Sequence, residues 1–285
     1  MPTWLPWPDS TCDGLRVSQE GELLRLTLAT PETRNAQTPA LWRRLTEVGQ
    51  ALPADIRVIL IDAEGPSFSA GLDRRMFTPE GLPGERTFLE LATAPFEVAD
   101  SWITEFQSAF TWQMECDAIT VAVVRGHAIG AGFQLALACD LIIAAEDAQF
   151  AMREVPLGLI PDLGGSQRLA DLIGTQRALW ACATGTAIDG ATAALWGLAI
   201  SCVPADGLGA AAQQLGEQLL GLPRHALRAV KPLINQAASR SRSEQLATER
   251  SLQIGLLRHL AASLAPESTS QSHEAPPRQT PTGAA

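Results

Sequence analysis

Residues 126–134 read Gly-His-Ala-Ile-Gly-Ala-Gly-Phe-Gln, with an apolar run at 119–124 before them and an amphipathic segment at 133–139 after them. This pattern predicts a strand, a glycine turn and a helix. Glycine lets the backbone turn sharply and come close to a bound group. The first N–H groups of a helix have no intrahelical partner, and the helix dipole is positive there. Such a turn can bind an anion, or an oxygen that becomes negative during a reaction.

A second glycine turn lies earlier in the chain. Residues 65–73 read Gly-Pro-Ser-Phe-Ser-Ala-Gly-Leu-Asp and follow a mostly apolar segment at 57–61 that predicts another strand. Two such turns can each offer a backbone N–H. Two donors that converge on one oxygen form an oxyanion hole, in which a single donor contributes about 3–4 kcal/mol of transition-state stabilisation. The oxyanion hole is a hypothesis at this point, because it rests on spacing alone and a single glycine turn is more often a turn without a binding function.

The composition limits the classes of function. The chain has 285 residues, of which 46% are apolar, so a sizeable core is possible. Its 31 acidic residues against 21 basic ones argue against nucleic-acid binding, which needs a basic face. The five cysteines form no CxxC pair and suggest neither a disulfide framework nor a zinc site. The first residues lack the features of a signal peptide, and no apolar run reaches membrane length, so we expect a cytoplasmic protein.

The chain divides by pattern into four segments. Residues 1–13 are rich in Pro and Trp and predict an irregular arm, whereas 14–200 carry the strand signals of an α/β core. Residues 201–262 predict a helical region, with helices near 208–220, 224–239 and 243–262. Residues 263–285 hold four prolines among Ser, Thr and Gln, which predicts disorder.

Seven segments together resemble one known family. They lie at 31–36, 68–73, 126–132, 138–140, 148–150, 154–161 and 164–169, and they are similar, in the same order, to the motifs of the enoyl-CoA hydratase/isomerase (crotonase) superfamily. The resemblance covers about residues 14–260. It implies an α/β fold, a crotonase-like spiral of ββα units with a helical C-terminal trimerisation region. It also implies a homotrimer, or a hexamer made of two trimers.

The resemblance implies an acyl-CoA thioester as ligand. Its carbonyl oxygen would lie between the backbone N–H groups of Leu72 and Ala131, and fixed N–H dipoles would stabilise the enolate that forms when the α-carbon loses a proton. Family position also implies a set of coenzyme A contacts. These are Arg34, Asn35, Ala36, Ala70 and Lys231. For Arg34 and Lys231, a solvated surface charge is an equally good interpretation. No metal or redox cofactor is needed.

The catalytic carboxylates distinguish the reactions of this family. Hydratases use two glutamates, and by resemblance the first position is Gln134 here and the second is Glu154. An amide cannot take a proton from water or carbon, so Gln134 can only orient a group. Isomerases of the family can work with the second glutamate alone. We therefore expect Glu154, with a pKa raised by partial burial, to move a double bond by shuttling a proton.

Asp162 allows two interpretations. It follows Glu154 by the spacing at which dienoyl-CoA isomerases carry a catalytic aspartate, although those enzymes also have an aspartate at the position of Gln134. By residue type Asp162 is equally a good N-cap for a following helix.

Other groups fit less well. His127 is expected to pack beside its turn rather than to act in catalysis. Ser166 lacks the second glycine of a nucleophile elbow, and Leu135 stands where a dinucleotide-binding loop needs a third glycine or alanine.

Two alternatives to an isomerase remain: a hydratase that uses Glu154 with water held by Gln134, and a catalytically silent acyl-CoA binder. The acyl chain is expected to depend on residues 74–115 and on the C-terminal helices. In that region the aromatic residues of a helix near 96–115 are expected to pack in the core or cover a pocket.

Overall fold

The computed structural model describes residues 12–264. The strands, in chain order, are β1 Leu15–Glu20, β2 Leu23–Leu28, β3 Val58–Ala63, β4 Ile119–Val124, β5 His127–Ile129, β6 Leu141–Ala145, β7 Gln149–Ala151, β8 Ile188–Asp189 and β9 Ser201–Val203. The helices are α1 Pro39–Gln50, α2 Phe88–Thr93, α3 Phe96–Glu115, α4 Ala131–Leu137, α5 Gly165–Ile173, α6 Thr175–Thr184, α7 Gly190–Trp196, α8 Leu208–Leu220, α9 Arg224–Asn235 and α10 Arg242–Leu264. The predicted arm at 1–13 and the predicted tail at 263–285 lie almost entirely outside the described residues.

Two sheets carry the fold. The larger has six strands in the order β1-β2-β3-β4-β6-β9, and the smaller has three in the order β5-β7-β8. In the larger sheet β1 and β2 form an antiparallel hairpin, and every later pair is parallel. Parallel neighbours require a crossover, which here contains helices, so the predicted α/β class is confirmed.

The core lies on both faces of the larger sheet. In β3, Ile59 and Ile61 pack in one apolar cluster with α1, α3 and α4, whereas Val58 and Leu60 pack in a second cluster with α8 and α9. Successive side chains of a strand point to opposite faces, which explains the alternation. A parallel strand buried on both faces has to be almost entirely apolar, as β4 is with its sequence Ile-Thr-Val-Ala-Val-Val, in which the buried Thr120 hydroxyl is paired with Asp140.

Local signals set several helix boundaries. The Thr38 side chain accepts a hydrogen bond from Leu41 N, and Pro39 opens α1, as the sequence predicted. Phe106 and Phe110 of α3 pack as expected, whereas Phe96 at its start is exposed. Trp42 of α1 lies 5.0 Å from the ring of Phe106 and 5.7 Å from that of Phe110, measured between ring centroids.

The C-terminal part contains the three expected helices. The middle one, α9, ends at Asn235 rather than near 239, and Pro232 removes a backbone N–H from its last turn. The chain divides into two compact units between Ala238 and Ser239. The first unit contains both sheets and the predicted site, and α10 is the principal element of the second. Between residues 12 and 264, no helix is long and apolar enough to cross a membrane.

Candidate active site

The two glycine turns lie side by side. Ser69 N donates to His127 O at 2.8 Å, and Ile129 N donates to Ser69 O at 3.0 Å, so a short parallel ladder joins them. Gly71 has a φ of +86°, and a Cβ at this position would lie 2.5 Å from Ile129 O. Only glycine fits at such a position, because both the conformation and the contact exclude a side chain. The predicted pairing of the two turns is therefore present.

The two N–H groups predicted to form an oxyanion hole lie on these turns. A Cβ on Gly71 would lie 3.6 Å from Ala131 N, which shows how close the turn before Leu72 comes to the start of α4. Neighbouring backbone groups are paired, since Asp73 N donates to Gln37 O and Gly130 N donates to Ala151 O, each at 2.8 Å. Among residues 12–264, neither Leu72 N nor Ala131 N donates a hydrogen bond. Both donors are left for a ligand.

Glu154 lies against the second turn. A Cβ on Gly130 would lie 3.3 Å from its Oε1. That oxygen accepts a hydrogen bond from Gln134 Nε2 at 2.9 Å, whereas Oε2 is buried and has no partner in the described part of the chain. Burial is the main cause that raises the pKa of Glu154, and the nearby Asp162 carboxylate adds to it. The hydrogen bond from Gln134 opposes both effects.

Gln134 is only 1% exposed and bridges three segments. Its Nε2 donates to Glu154, and its Oε1 accepts from Leu163 N at 2.9 Å and from Gly165 N at 3.3 Å. Gly165 is the first residue of α5, so this side chain satisfies donors at the start of a helix that lies far along the chain.

Asp162 is not a helix cap. The N-cap of α5 is Gly164, and no side chain at that position makes a capping hydrogen bond. The cap interpretation is therefore wrong, because Gln134 already accepts from the N–H groups that a cap would satisfy. The Asp162 carbonyl accepts from Gln107 Nε2 at 2.7 Å. Burial raises the pKa of its carboxyl, which lies near enough to Glu154 to raise that pKa as well.

The first predicted coenzyme A loop is braced by Asn35. Asn35 is 1% exposed, its Nδ2 donates to Glu64 O and Ser67 O, and its Oδ1 accepts from Thr30 N, each at 2.9 Å. All three bonds are internal, so the Asn35 amide holds the loop and has no hydrogen left for a ligand. Arg34 by contrast is exposed, and within the described residues no hydrogen bond or ion pair engages its guanidinium.

Ala36 and Ala70 lie on the same pair of loops. Ala70 N donates to Arg34 O at 2.8 Å, and Ala36 N donates to Thr33 Oγ1 at 3.3 Å. The structure thus brings Arg34, Ala36 and Ala70 together beside the first glycine turn, with Asn35 underneath.

Lys231 does not belong to this set. Both earlier interpretations, a phosphate contact and a solvated charge, are wrong because Lys231 is 4% exposed. Its Nζ donates to Gln113 O and Ala118 O at 2.6 Å each and lies 2.9 Å from Asp140 Oδ2. A buried ammonium needs such compensation. Lys231 therefore ties α9 to the segment between α3 and β4.

Two further residues were not predicted correctly: His127 was expected to pack beside its turn, and Cys182 was given no role. His127 remains exposed rather than packed, with Nδ1 3.2 Å from Ser67 Oγ. Cys182 of α6 had no predicted role, yet burial and the Glu154 charge raise the pKa of its thiol. No spacing in the sequence could show this contact, because it depends on how α6 packs against residues 152–156.

Comparisons with known proteins identify the family of this chain. A family model described as enoyl-CoA hydratase/isomerase matches residues 18–264. The probable enoyl-CoA hydratase echA8 of Mycobacterium tuberculosis is 32% identical over 244 residues, which cover 85% of this chain and 89% of that protein. The mitochondrial Delta(3,5)-Delta(2,4)-dienoyl-CoA isomerase of Homo sapiens is 34% identical over 172 residues, which cover 59% of this chain and 52% of that protein.

Solved structures show the same fold. A provisionally assigned enoyl-CoA hydratase from Thermobifida fusca YX is 42% identical, with a TM-score of 0.84 over 88% of this chain and 95% of that one. A second structure of a protein so named from that organism contains acetoacetyl-CoA. It is 42% identical, with a TM-score of 0.82 over 87% of this chain and 96% of that one.

Proposed function

The chain belongs to the enoyl-CoA hydratase/isomerase family, and we propose that it acts there as an isomerase of enoyl-CoA or dienoyl-CoA thioesters. The ligand proposal is supported by the Thermobifida fusca protein, whose structures contain CoA or acetoacetyl-CoA. Arg34, Ala36 and Ala70 are the proposed contacts to coenzyme A on this chain, and Lys231 is removed from them.

The proposed reaction moves a proton within the substrate. With a 3-enoyl-CoA, Glu154 takes a proton from C2, and the electron pair of that C–H bond moves toward the thioester. The dienolate carries its negative charge on the thioester oxygen, which receives hydrogen bonds from Leu72 N and Ala131 N. Glu154 then returns the proton to C4, which leaves the double bond between C2 and C3. Donors that are fixed before the reaction stabilise this charge without reorganising.

One observation carries the choice of isomerase over hydratase. The group beside Glu154 is the amide of Gln134, and its oxygen already accepts from two backbone N–H groups. Gln134 therefore supplies no second base to activate a water molecule, which the two-glutamate hydratases of the family have at this position. Glu154 is therefore the base at this position, and its raised pKa brings it closer to the working pH of a proton shuttle.

Asp162 is the proposed second acid/base for a conjugated substrate. Its carboxyl has a pKa raised by burial and interacts with Glu154. Two carboxyl groups that border one acyl chain could exchange protons with carbons too far apart for one of them. The partial match to the human dienoyl-CoA isomerase supports this version.

Turnover on paired substrates tests the proposal. We expect 3-enoyl-CoA to be converted faster than 2-enoyl-CoA is hydrated, and Glu154→Gln to reduce isomerisation by about 10²–10⁴-fold, the usual contribution of a general base. Glu146→Gln, a change of an exposed glutamate, is the matched control and is expected to keep full activity. Hydration that is faster than isomerisation and survives Glu154→Gln would refute the proposed role of Glu154.

A hydratase is the second candidate, because the relatives matched over most of their length carry that name. It requires that Glu154 alone activate water while the remaining Gln134 N–H holds it. A catalytically silent binder is the third. It predicts acyl-CoA binding without deuterium exchange at the thioester α-carbon in heavy water, so exchange that disappears in Glu154→Gln would exclude it.

A homotrimer or a hexamer remains the proposed assembly. Large apolar side chains are exposed on three adjoining elements, the turn at 155–157, α6 and α7. They include Val155, Leu157, Leu179, Trp180 and Leu195. The Trp180 and Trp196 rings lie 6.0 Å apart between centroids, which joins α6 to α7. Contiguous exposed apolar surface is typical of interfaces, and light scattering after size exclusion would measure the assembly.

A further inference from the structure

We infer that Gln134 is a positioning residue that holds Oε1 of Glu154 as a hydrogen-bond acceptor and thereby reserves Oε2 as the atom that takes up and returns the proton. The inference rests on the proposed function and deepens it. It assigns the chemistry to one oxygen of one carboxylate.

The orientation of the Gln134 amide follows from its partners. Leu163 N and Gly165 N are backbone donors, and both point at the same atom of the amide. A backbone N–H only donates, so that atom is the oxygen. The nitrogen then faces Glu154, at 2.9 Å from Oε1. Both lone pairs of the amide oxygen are occupied, which prevents the amide from turning over.

This orientation distinguishes the two oxygens of Glu154. An N–H that donates to Oε1 requires a lone pair there, whether the carboxyl group is charged or neutral. The hydroxyl oxygen of a neutral carboxyl is a weaker acceptor than its carbonyl oxygen, so the N–H of Gln134 favours Oε2 as the oxygen that carries the proton. That oxygen is buried and has no partner among residues 12–264. Since no group in the described residues engages its lone pairs, we assign the exchange of a proton with a substrate carbon to this atom.

The same hydrogen bond contributes to the pKa of Glu154. Burial and the Asp162 carboxylate favour the neutral form, whereas the backbone N–H of Glu154 and the N–H donated by Gln134 favour the charged form, which a base requires. The titratable groups that interact with Glu154 from neighbouring segments are Asp162, which precedes α5, and Cys182 on α6. Among the side chains that act on Glu154, the one that favours its charge is uncharged Gln134.

Gly165 keeps Gln134 in place. A Cβ on Gly165 would lie 2.8 Å from Gln134 Cγ and 3.2 Å from its Oε1. The glutamine stem thus occupies the space that a side chain at 165 would need. An alanine at 165 would displace Gln134 without changing any polar side chain.

The pH profile of kcat/KM on 3-enoyl-CoA tests the inference. In Gln134→Met the charged form of Glu154 loses a donor, so its pKa rises and the acid limb of the profile shifts upward by about 1–2 pH units, as expected for a hydrogen bond to a charged group. Gly165→Ala should shift it in the same direction by less. Gln113→Met, which changes another fully buried glutamine, should leave the limb where it is.

Infrared titration of the free protein gives a second readout that needs no turnover. The carboxyl band that is lost in Glu154→Gln identifies Glu154, and it should titrate at higher pH in Gln134→Met. If Gln134→Met does not fold by circular dichroism, Gly165→Ala decides. An unshifted band and an unshifted limb in the folded variants would overturn the inference. If the unsubstituted protein has no isomerase activity but the Glu154 band still shifts in Gln134→Met, the proposed function is refuted. The positioning of Glu154 by Gln134 is then still supported.

Discussion

Gly71→Ala should disable the oxyanion hole while leaving every catalytic side chain in place. The new Cβ would lie 2.5 Å from Ile129 O, on a backbone whose φ is +86°. Ordinary contacts of this type begin near 3.4 Å. The two turns must therefore separate by close to an ångström, and Leu72 N and Ala131 N lie on opposite sides of that separation.

The magnitude follows from how steeply such donors act. They stabilise an oxyanion at 2.7–3.1 Å, so a displacement of roughly 1 Å removes one of them in effect. Loss of one donor costs about 3–4 kcal/mol, which is a decrease in kcat of about 10²–10³-fold. Since the hole binds charge that develops only in the transition state, kcat should fall far more than KM rises.

The assay compares Gly71→Ala with Gly21→Ala. Gly21 also has a positive φ, +59°, but no atom lies within 4 Å of a Cβ placed there. Both alanines carry the strain of a left-handed conformation, about 1–2 kcal/mol, and only the first separates the turns. Kinetics measured below both melting temperatures should show the loss in Gly71→Ala alone. Equal kcat values for the two folded variants would refute the assignment of Leu72 N and Ala131 N to the oxyanion hole.

Four further substitutions have defined outcomes. Gln134→Glu places a second carboxylate 2.9 Å from Glu154 Oε1, and at an effective dielectric constant near 20 the repulsion is ~6 kcal/mol, or about four pKa units. The pair should share one proton at pH 7, with slower isomerisation and a gain of 2-enoyl-CoA hydration in a direct assay; unchanged rates would contradict this. Lys231→Met leaves the buried Asp140 carboxylate without its ammonium, which should cost about 3–5 kcal/mol and lower Tm by roughly 10 °C, with acyl-CoA affinity unchanged. Arg34→Met should lower the affinity for acyl-CoA and leave Tm unchanged. Calorimetric titration with acyl-CoA would measure the affinity of both variants, and a thermal melt would measure their Tm. Glu154→Gln should raise Tm at pH 7–8, because a carboxyl whose pKa is raised on folding stabilises the protein below its unfolded pKa and loses that contribution as pH rises through the folded value. The gain should vanish in melts below about pH 4, where the unfolded glutamate is protonated too.

The sequence predicted those parts of the site that depend on neighbouring residues. The strand-turn-helix pattern around residue 130 and the turn before Leu72 are both local signals, and parallel pairing of β3 with β4 brings them together. The α/β class and the start of α1 at Thr38 and Pro39 followed from the same kind of signal. Glu154 was identified by resemblance to the family, and the structure places its Oε1 3.3 Å from a Cβ built on Gly130 of the second turn.

Lys231 shows where such reasoning stops. Its partners are carbonyls of Gln113 and Ala118 and the carboxylate of Asp140, all far away in the sequence. A lysine in an amphipathic helix is usually exposed, and the sequence near residue 231 does not indicate that buried carbonyl and carboxylate acceptors surround its ammonium group. Only the packing of α9 against the sheet determines that this lysine is enclosed.

Asp162 and Gln134 show the same limit within the site itself. An aspartate shortly before a helix predicts a cap, because the first N–H groups of the helix need acceptors. Here those N–H groups already have one, the Oε1 of a glutamine from α4. The prediction of an Asp162 cap therefore failed because Gln134, a residue distant in the sequence, already accepts the hydrogen bonds that a cap would accept. The Asp162 carboxyl makes no capping hydrogen bond. It lies close enough to Glu154 to raise the pKa of that residue. Gln134 thus binds Glu154 through its nitrogen and, through its oxygen, accepts from the N–H groups at the start of α5, so substitution at 134 should alter both the pKa of Glu154 and the start of that helix.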